Sequence, residues 1–509
     1  MNFWNNRIWL LIFVATILRL VIAFCLNLGN DEVYYWTYAQ DLQWNYFDHP
    51  PMVAWLIRIT TFNLTAHYEI WVRAGAILSS AICTFLIYKM GAVLYNRRAG
   101  WYAALLYTSS FYCSIIAGTF ILPDSPQMVF WLWSILILIK IAQSSTINPH
   151  HKRLWCYFGI IAGLCILCKV HGVFLWIAVG LFACFGNRNW LRNPWLYISA
   201  LISFFIASPI LFWNIQHHFI TYTYHGSRVS LVAAGLNPIA FLRELSGEFF
   251  YNNPVVFFLS WASIGLWYRN KKHTRKKEFS LLICCSLPLI MVLLVLALFR
   301  DTLPHWSGPA YSCLILVSGV RLAFYPKRRA NQLIIFALSF YLTVVVAGVL
   351  VINLWPGTMG KNEDRYTMGK GDVTLDLYGW NETGRKFKQF YLADQAKGLM
   401  QANAPIIVNK WFPASHIDFY LAAHTQQETY AIGPLFDLHQ YYFYNLRKQK
   451  PALGSDAYYL TTSNTFKPED LEVNKIAFGK VEAPSFIPIY RNGKICKYLL
   501  VFRLRGFKG

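Results

Sequence analysis

Long apolar runs recur along this 509-residue chain, and each approaches the length needed to cross a lipid bilayer. A helix of roughly 20 apolar residues spans the hydrocarbon layer and satisfies its own backbone hydrogen bonds there. We therefore predict about eleven transmembrane helices. They lie at residues 8–28, 70–93, 100–121, 125–143, 155–170, 172–186, 194–213, 249–268, 279–299, 305–324 and 332–354.

The positive charge of the chain follows these runs. The formal net charge is +22, yet the basic residues gather in alternate loops. The positive-inside rule assigns such loops to the cytoplasm, which places Met1 inside. Loops 29–69, 122–125, 214–248 and 300–304, and everything after the last run, then face outside. Because a basic loop beside a span is a topology signal, we expect no nucleic-acid partner. The basic clusters are Arg97-Arg98, Lys152-Arg153, Arg188 with Arg192, 271–277 and 327–329.

The first run has no small-residue cleavage site and is followed directly by polar sequence, so we expect a retained span and not a signal peptide. Residues 1–354 form the predicted membrane domain. Residues 355–509 are polar and punctuated by Gly and Pro, and predict a small extracytoplasmic α/β domain. The fold class is thus a mainly α, polytopic membrane protein with a C-terminal α/β domain.

Local patterns inside the C-terminal domain predict its elements. Strands are expected at 404–408, 428–432 and 457–461, and a helix capped by Ser415 at 415–423. The Asn492-Gly493 pair between two β-rich runs predicts a hairpin that joins 487–490 to 495–503.

Polar clusters at the predicted outer face are candidates for chemistry. Asp31 and Glu32 follow the first span, where a carboxylate can act as a general base or hold a cation. Ordinary loop solvation beside an interfacial aromatic belt is the alternative. In Asp48-His49-Pro50-Pro51 the prolines stiffen the backbone, and His49 can bind phosphate when protonated or a metal when neutral. A turn capped by Asp48 is the alternative there.

Two further charged residues lie beside predicted spans. Asp124 follows Pro123 and precedes a span, so a helix cap is its leading structural interpretation. Lys169 interrupts an apolar pair of segments, and an intramembrane lysine usually serves a partner or ligand. An anionic phosphate is one natural partner, and snorkelling to the interface is the alternative.

Histidines and arginines elsewhere at the outer face extend the candidate set. The histidines are expected to complete a metal or phosphate site with Asp48, and the arginines to meet an anionic headgroup. These residues are His217, His218, His305, Arg228 and Arg243.

The motifs in combination resemble a known group. The chain is similar to bacterial integral-membrane glycosyltransferases of the protein O-mannosyltransferase-like superfamily with the GT-C fold (family 39/83 type). This superfamily includes lipid A aminoarabinose and galacturonic acid transferases. The resemblance rests on 30–36, 46–52, Pro123-Asp124-Ser125-Pro126, Lys169 and Trp213-Asn214-x-Gln216-His217.

The resemblance implies a polyprenyl-monophosphate sugar donor and transfer to an acceptor at the outer face of the cytoplasmic membrane. The acceptor would be lipid A, lipopolysaccharide, another envelope glycan or protein. It implies catalytic roles for Asp31, Glu32 and Asp124, with Asp31 as the general base. By their charge and position, the candidates for donor-phosphate contacts are His49, Lys169, Arg228, Arg243 and His217.

A divalent metal is a further hypothesis, with Asp48, His218 and His305 as ligands. Aminoarabinose transferases carry a Glu-Lys pair where this chain has Asp48-His49, which puts metal binding in doubt.

A transporter or flippase of lipid-linked sugars is the alternative function. Such proteins often contain internal repeats and broken helices at mid-membrane. This chain shows no repeat, and most of its candidate polar residues fall at one predicted face, which favours the enzyme.

Overall fold

The computed structural model describes residues 3–144, 149–230, 235–269 and 276–509. Two compact units divide the chain: Met1–Ala23 with Leu42–Val345, and Phe24–Asp41 with Val346–Gly509. This division differs from the predicted boundary at residue 354 because the helix Asn30–Gln40 packs with C-terminal residues. Lys271, Lys272 and Arg275 of the predicted basic clusters lie outside the described residues.

The first unit is helical, and its apolar runs form the predicted helices. Within the described ranges, seven helices are long and apolar enough to cross a membrane by length and composition. They are Asn6–Cys25, Glu69–Leu94, Asp124–Gln143, His151–Cys168, Pro194–Gln216, Lys277–Ala297 and Lys327–Leu354. The chain is therefore a mainly helical, polytopic membrane protein.

Shorter helices occupy the other four predicted spans. They are Arg97–Ser109, Phe174–Phe185, Pro254–Arg269 and Gly308–Leu322. The run predicted at 100–121 is interrupted at Ser110, where ψ is 127°, and continues as a π-helical turn, Tyr112–Ile116. Further helices are Met52–Thr60, Ile220–Val229 and Pro238–Tyr251, with 3₁₀ turns at Val170–Val173, Arg188–Trp190 and Pro304–Ser307.

Small residues bring the helices of this unit close together. Gly91 and Gly100 lie at the contact between Glu69–Leu94 and Arg97–Ser109, where a Cβ atom on Gly100 would lie 2.2 Å from the Tyr88 carbonyl oxygen. Helices packed in lipid gain stability from such close backbone approach, since no hydrophobic force drives them together.

The second unit is a mixed α/β structure. Its sheet has the order β2-β1-β3-β6-β4, and β5 pairs with β6. β1 pairs in parallel with β2 and β3, whereas β6 runs antiparallel to β3, β4 and β5. The strands are β1 (Ile406–Val408), β2 (Thr429–Ala431), β3 (Ala457–Thr462), β4 (Phe478–Val481), β5 (Ser485–Arg491) and β6 (Lys494–Phe507).

Helices precede, separate and follow these strands along the chain. They are Asn30–Gln40, Trp380–Ala396, Trp411–Ile417, Ala423–Thr425, Leu435–Leu438, Gln440–Asn445 and Asp470–Ala477, with a 3₁₀ turn at Val373–Leu377 and a π-helical turn at Asp418–Ala422. The three predicted strands and the hairpin are confirmed. Asn492 and Gly493 have φ values of 45° and 77°, the left-handed geometry that a two-residue hairpin requires.

The predicted cap at Ser415 is wrong. The helix begins at Trp411 after Lys410, and the Ser415 hydroxyl donates to the Trp411 carbonyl oxygen at 2.8 Å. Ser415 therefore lies inside the helix, where a serine hydroxyl bonds back to the preceding turn.

A buried ion pair holds the segment around Asp372 against the hairpin of this unit. Arg491 Nη2 lies 2.8 Å from Asp372 Oδ2, and neither side chain is exposed. The same guanidinium donates to the Gly357 carbonyl and the Thr374 hydroxyl, at 2.8 and 2.7 Å. A buried pair of this kind holds its geometry because each charge depends on the other.

Replacing Arg491 with Met is expected to destabilise the second unit by about 3–5 kcal/mol, since it leaves the Asp372 carboxylate buried without a counter-charge. Denaturant unfolding of the purified chain measures the loss. Lys475→Ala serves as the control because it removes an exposed pair with Glu472, worth about 1 kcal/mol or less. Equal effects of the two substitutions would contradict the assigned role.

Candidate active site

One cavity of the first unit has an apolar wall and a polar end, with a volume of about 220 Å³. The apolar wall consists of Pro50, Val170, Phe174, Ile210, Val229, Leu289, Val292, Leu293, Leu296 and Trp306. The polar end consists of Asn45, Asp48, His49, Lys169, His171, Thr221, Tyr222 and His225. A ligand with a polar head and a hydrocarbon tail matches this division.

The charge at the polar end comes from a buried ion pair. Lys169 Nζ lies 2.8 Å from Asp124 Oδ2, and the two side chains are 5% and 2% exposed. The Tyr112 hydroxyl donates to the other carboxylate oxygen at 2.9 Å. An ammonium group has three donors, so the bond to Asp124 leaves Lys169 able to bind a second anion.

A break between two helices places Lys169. The helix Pro149–Cys168 ends one residue earlier, and Lys169 is extended, with φ −159° and ψ 139°, before the 3₁₀ turn Val170–Val173. Gly172 permits the break, since a Cβ atom there would lie 2.7 Å from the Ile166 nitrogen. The lysine thus projects from a helix end instead of from the side of a continuous helix.

Both structural alternatives for this pair are wrong. Asp124 is the first helical residue, and Pro123 occupies the N-cap position before it. Its carboxylate oxygens accept hydrogen bonds from Lys169 and Tyr112. Lys169 does not snorkel to solvent, because its ammonium group is buried against that carboxylate.

Histidines around the polar end are held neutral. Burial lowers the pKa of His49 well below its usual value, and His225 and Lys169 lower it further. Burial likewise lowers the pKa of His305 to about 4, with Lys169 acting in the same direction. In the unliganded site the imidazole of His49 therefore offers a neutral N–H or nitrogen lone pair at neutral pH, and its role as a phosphate ligand stays a prediction.

The segment that carries His49 is attached to a neighbouring helix. His225 Nε2 is 2.7 Å from the Asp48 carbonyl oxygen, and its ring centroid lies 6.0 Å from that of His49. Asn45 Nδ2 donates to the Thr221 hydroxyl at 2.9 Å. The short helix Ile220–Val229 thus positions one side of the polar end.

The other predicted phosphate ligands are not gathered in the cavity lining. Arg228 lies near it, with its guanidinium carbon 5.8 Å from the Trp306 ring centroid. The His217 ring stacks on the Trp213 ring, with 3.8 Å between the ring centroids. Arg243 forms an exposed ion pair with Asp301 at 2.8 Å. A surface pair of this kind is screened by water, so Arg243 is not held as a buried anion ligand.

The predicted metal ligands do not assemble. In the part of the chain that the structure describes, no group of three or more His, Cys, Asp or Glu side chains is arranged to hold a metal ion. Asp48 lines the cavity and His305 feels the charges of Asp124 and Lys169, whereas His218 occupies a left-handed turn at φ 54°. The residues present therefore do not fit the proposed Asp48, His218 and His305 site.

Asp31 and Glu32 belong to the second unit. Glu32 is buried, and its Oε2 accepts from the Gly29 N–H at 2.8 Å, which completes the capping box of the helix Asn30–Gln40. Asp31 lies exposed in the first turn of the same helix. Glu32 thus has a structural role, and the catalytic role of Asp31 stays a prediction.

A carboxylate pair that sequence reasoning did not place supports the wall of the cavity. Glu244 accepts from the Thr302 hydroxyl at 2.7 Å, and Glu248 accepts from the Tyr311 hydroxyl at 3.0 Å. Gly247 lies between them, and a Cβ atom there would lie 2.2 Å from the Pro304 ring. The helix Pro238–Tyr251 therefore clamps the turn that presents His305 and Trp306. The sequence signal for this pair was the i, i+4 spacing of the two glutamates, which places them on the same face of a helix.

Stability should depend on pH through this pair. Burial, together with the Glu244 carboxylate, raises the pKa of Glu248 to about 7 from an ordinary 4.5. A raised folded-state pKa gives stability that is fully present below pH 4.5 and lost as pH rises through 7. The change is on the order of 3 kcal/mol.

Glu248→Gln should flatten this dependence because the amide does not titrate. Thermal melting of the purified chain between pH 4.5 and 8.5 measures it, with the exposed Glu363→Gln as the control. A parent and a Glu248→Gln variant that lose stability in parallel over this range would contradict the assignment.

Comparison with known proteins finds relatives of the kind that the motifs resemble. Residues 48–213 match the family model described as dolichyl-phosphate-mannose-protein mannosyltransferase. A curated relative, lipid A galacturonosyltransferase RgtD of Rhizobium johnstonii, is 24% identical over 298 residues. That match covers 58% of this chain and 59% of the relative, so the chain spans under two thirds of the relative's length.

Solved structures share the fold over nearly the whole chain. ArnT from Cupriavidus metallidurans, both in the apo state and bound to undecaprenyl phosphate, superimposes with a TM-score of 0.60 at 14% identity. The similarity covers 98% of each chain. The chain thus has an ArnT-like fold, and its segment 48–213 matches the protein O-mannosyltransferase family model.

Proposed function

We propose that the chain transfers a sugar from a polyprenyl-monophosphate donor to an acceptor of the cell envelope. The observation that carries this proposal is the buried Lys169–Asp124 pair at the polar end of a cavity whose wall is apolar. The ammonium group suits a phosphate, and the leucine- and valine-rich wall suits the first units of a prenyl chain. The ArnT structure bound to undecaprenyl phosphate supports the same class of ligand.

The reaction is a direct displacement. An acceptor hydroxyl oxygen forms a bond to the anomeric carbon, the bond from that carbon to the phosphate oxygen breaks, and the lipid phosphate leaves with the bonding electrons. Inversion at the anomeric carbon follows from a single displacement. Because phosphate is already a good leaving group, the protein mainly has to bind it, orient the sugar and remove the acceptor proton.

The residues at the polar end serve to bind the phosphate. Lys169 stabilises the charge that develops on the leaving phosphate, and Asp124 with Tyr112 holds its ammonium group in place. Neutral His49 and His225 add hydrogen bonds without a second positive charge. We assign the acceptor proton to the Asp31 carboxylate, following the resemblance.

The proposed acceptor follows from the curated relative, and the proposed membrane topology follows from the basic loops. The relative named lipid A galacturonosyltransferase supports a lipid A-like acceptor. The alternating basic loops support eleven spans in the cytoplasmic membrane, with residues 355–509 on the extracytoplasmic side.

A transfer assay separates this function from transport. The purified chain in detergent is mixed with an undecaprenyl-phosphate sugar and lipid A, and mass spectrometry detects glycosylated lipid A and free undecaprenyl phosphate. A micelle has no second leaflet, so a flippase yields no product in this assay. Absence of product with every sugar donor and envelope acceptor tried would favour the transporter.

Lys169→Ala should weaken undecaprenyl phosphate binding roughly 10- to 100-fold, because a charge-assisted hydrogen bond contributes about 1.5–3 kcal/mol. Acceptor binding should change less. Lys169→Arg keeps the charge opposite Asp124 and should retain more affinity, which guards against a folding defect. Lys140→Ala, an exposed lysine at the end of Asp124–Gln143, is the matched control. Equal donor affinity in parent and Lys169→Ala would remove Lys169 from the phosphate site.

Asp31→Asn should lower transfer by at least about 100-fold, since an amide cannot accept the proton. Donor binding and the melting temperature should stay near those of the parent. Asp41→Asn changes the other aspartate of the segment Phe24–Asp41 and is the control. Turnover in Asp31→Asn equal to that of the parent would show that another group is the base.

A further inference from the structure

Three arginines converge on one tyrosine in the first unit. Arg98 Nη2 donates to the Tyr325 carbonyl oxygen at 2.9 Å, and Arg321 Nη2 donates to the Tyr325 hydroxyl at 2.6 Å. The guanidinium carbons of Arg321 and Arg329 lie 5.4 and 5.2 Å from the Tyr325 ring centroid. Three separate segments thus bring positive charge to one place. We call the three arginines around this tyrosine, Arg98, Arg321 and Arg329, the Tyr325 cluster.

The positive charge of this cluster is not neutralised by any carboxylate of the described residues. Across the described ranges, no carboxylate forms an ion pair with any of the three arginines. Arg321 Nε and Nη1 are buried without a hydrogen-bond partner. Gathering like charges is unfavourable, and so is burying charged donors without acceptors. Both costs are relieved if an anion binds at the cluster.

The position of the cluster indicates which anions reach it. Arg98 lies in the first turn of Arg97–Ser109, Arg329 in the first turn of Lys327–Leu354, and Arg321 near the end of Gly308–Leu322. Because Lys327–Leu354 is one of the long apolar helices, its first turn marks a boundary of the lipid region. Helix N-termini with their unpaired N–H groups also favour phosphate.

We propose that the Tyr325 cluster binds a phosphate group, supplied by an anionic phospholipid headgroup or by free phosphate. Guanidinium groups bind phosphate oxygens through paired N–H donors, and three of them approached from different helices form a directional site. The exposed side chains of Arg97, Lys327 and Arg328 add positive charge around it. The site is separate from the Lys169 cavity lining and independent of the proposed sugar transfer.

Native mass spectrometry of the purified full chain tests the lipid source. Phosphatidylglycerol and phosphatidylcholine are titrated separately into a neutral detergent. We expect the parent to bind phosphatidylglycerol more tightly by tenfold or more, since each basic residue near an anionic surface contributes about 1 kcal/mol. Thermal stabilisation by inorganic phosphate, at constant ionic strength with chloride, tests the free-phosphate source.

Matched triple variants separate a built site from general positive charge. Arg98→Gln with Arg321→Gln and Arg329→Gln should lose most of the preference for phosphatidylglycerol and the response to phosphate. Arg153→Gln with Arg188→Gln and Arg192→Gln removes the same charge from exposed arginines and should keep both within about twofold. Loss confined to the lipid arm identifies the headgroup, and loss confined to the phosphate arm identifies the free anion.

Equal weakening by the two triple variants, or no weakening by the first, would overturn the proposal. If the first triple variant does not fold, Arg329→Gln decides, because that arginine is exposed and its change should preserve the fold. Its affinity should fall about fivefold. An affinity equal to that of the parent would overturn the proposal equally.

Discussion

The ion pair between Lys169 and Asp124 is the interaction on which the candidate site depends. Moving either charge out of water alone is costly, and the protein meets this cost by pairing them at 2.8 Å and adding the Tyr112 hydroxyl. The pair requires a helix break at Lys169 and a helix start at Asp124. The backbone irregularities of this region therefore serve to bring two charges together.

The histidines around this pair are neutral, so the Lys169 ammonium group is the main positive charge of the site. Burial lowers the pKa of His49 and His305, and the charge of Lys169 lowers both further, so both imidazoles are neutral at physiological pH. A single ammonium group beside neutral imidazoles can bind a phosphate strongly and still release it after the reaction. Additional fixed cations would favour the product as much as the transition state.

Sequence predicted the elements whose signals are local. Apolar runs predicted helices because lipid leaves the backbone no other partner, and Asn492-Gly493 predicted the hairpin because only such residues tolerate its turn. The need of Lys169 for an anionic partner was also predictable, yet the identity of that partner was not. Asp124 lies 45 residues away, and its local context of Pro123 and a helix start indicated a cap instead.

Two further differences concern local contacts, and a third again concerns a distant pair. Ser415 lies in a helix that begins four residues earlier, at Trp411. Glu32 has the spacing from Gly29 that a capping box requires, and its catalytic role beside Asp31 stays a prediction. Arg243 meets Asp301, 58 residues further along the chain, which no motif encodes. Pairings between distant charges are set by packing, and a single sequence carries little record of packing.

The contact of Gly247 with Pro304 has a consequence for the range of ligands. The helix Pro238–Tyr251 contributes no residue to the cavity lining, but Pro304 begins the turn that carries Trp306, which does. Any side chain larger than hydrogen at position 247 would displace that turn and move the indole with it. A substitution at a residue outside the cavity lining is thus expected to reshape the apolar wall, while every lining side chain keeps its identity.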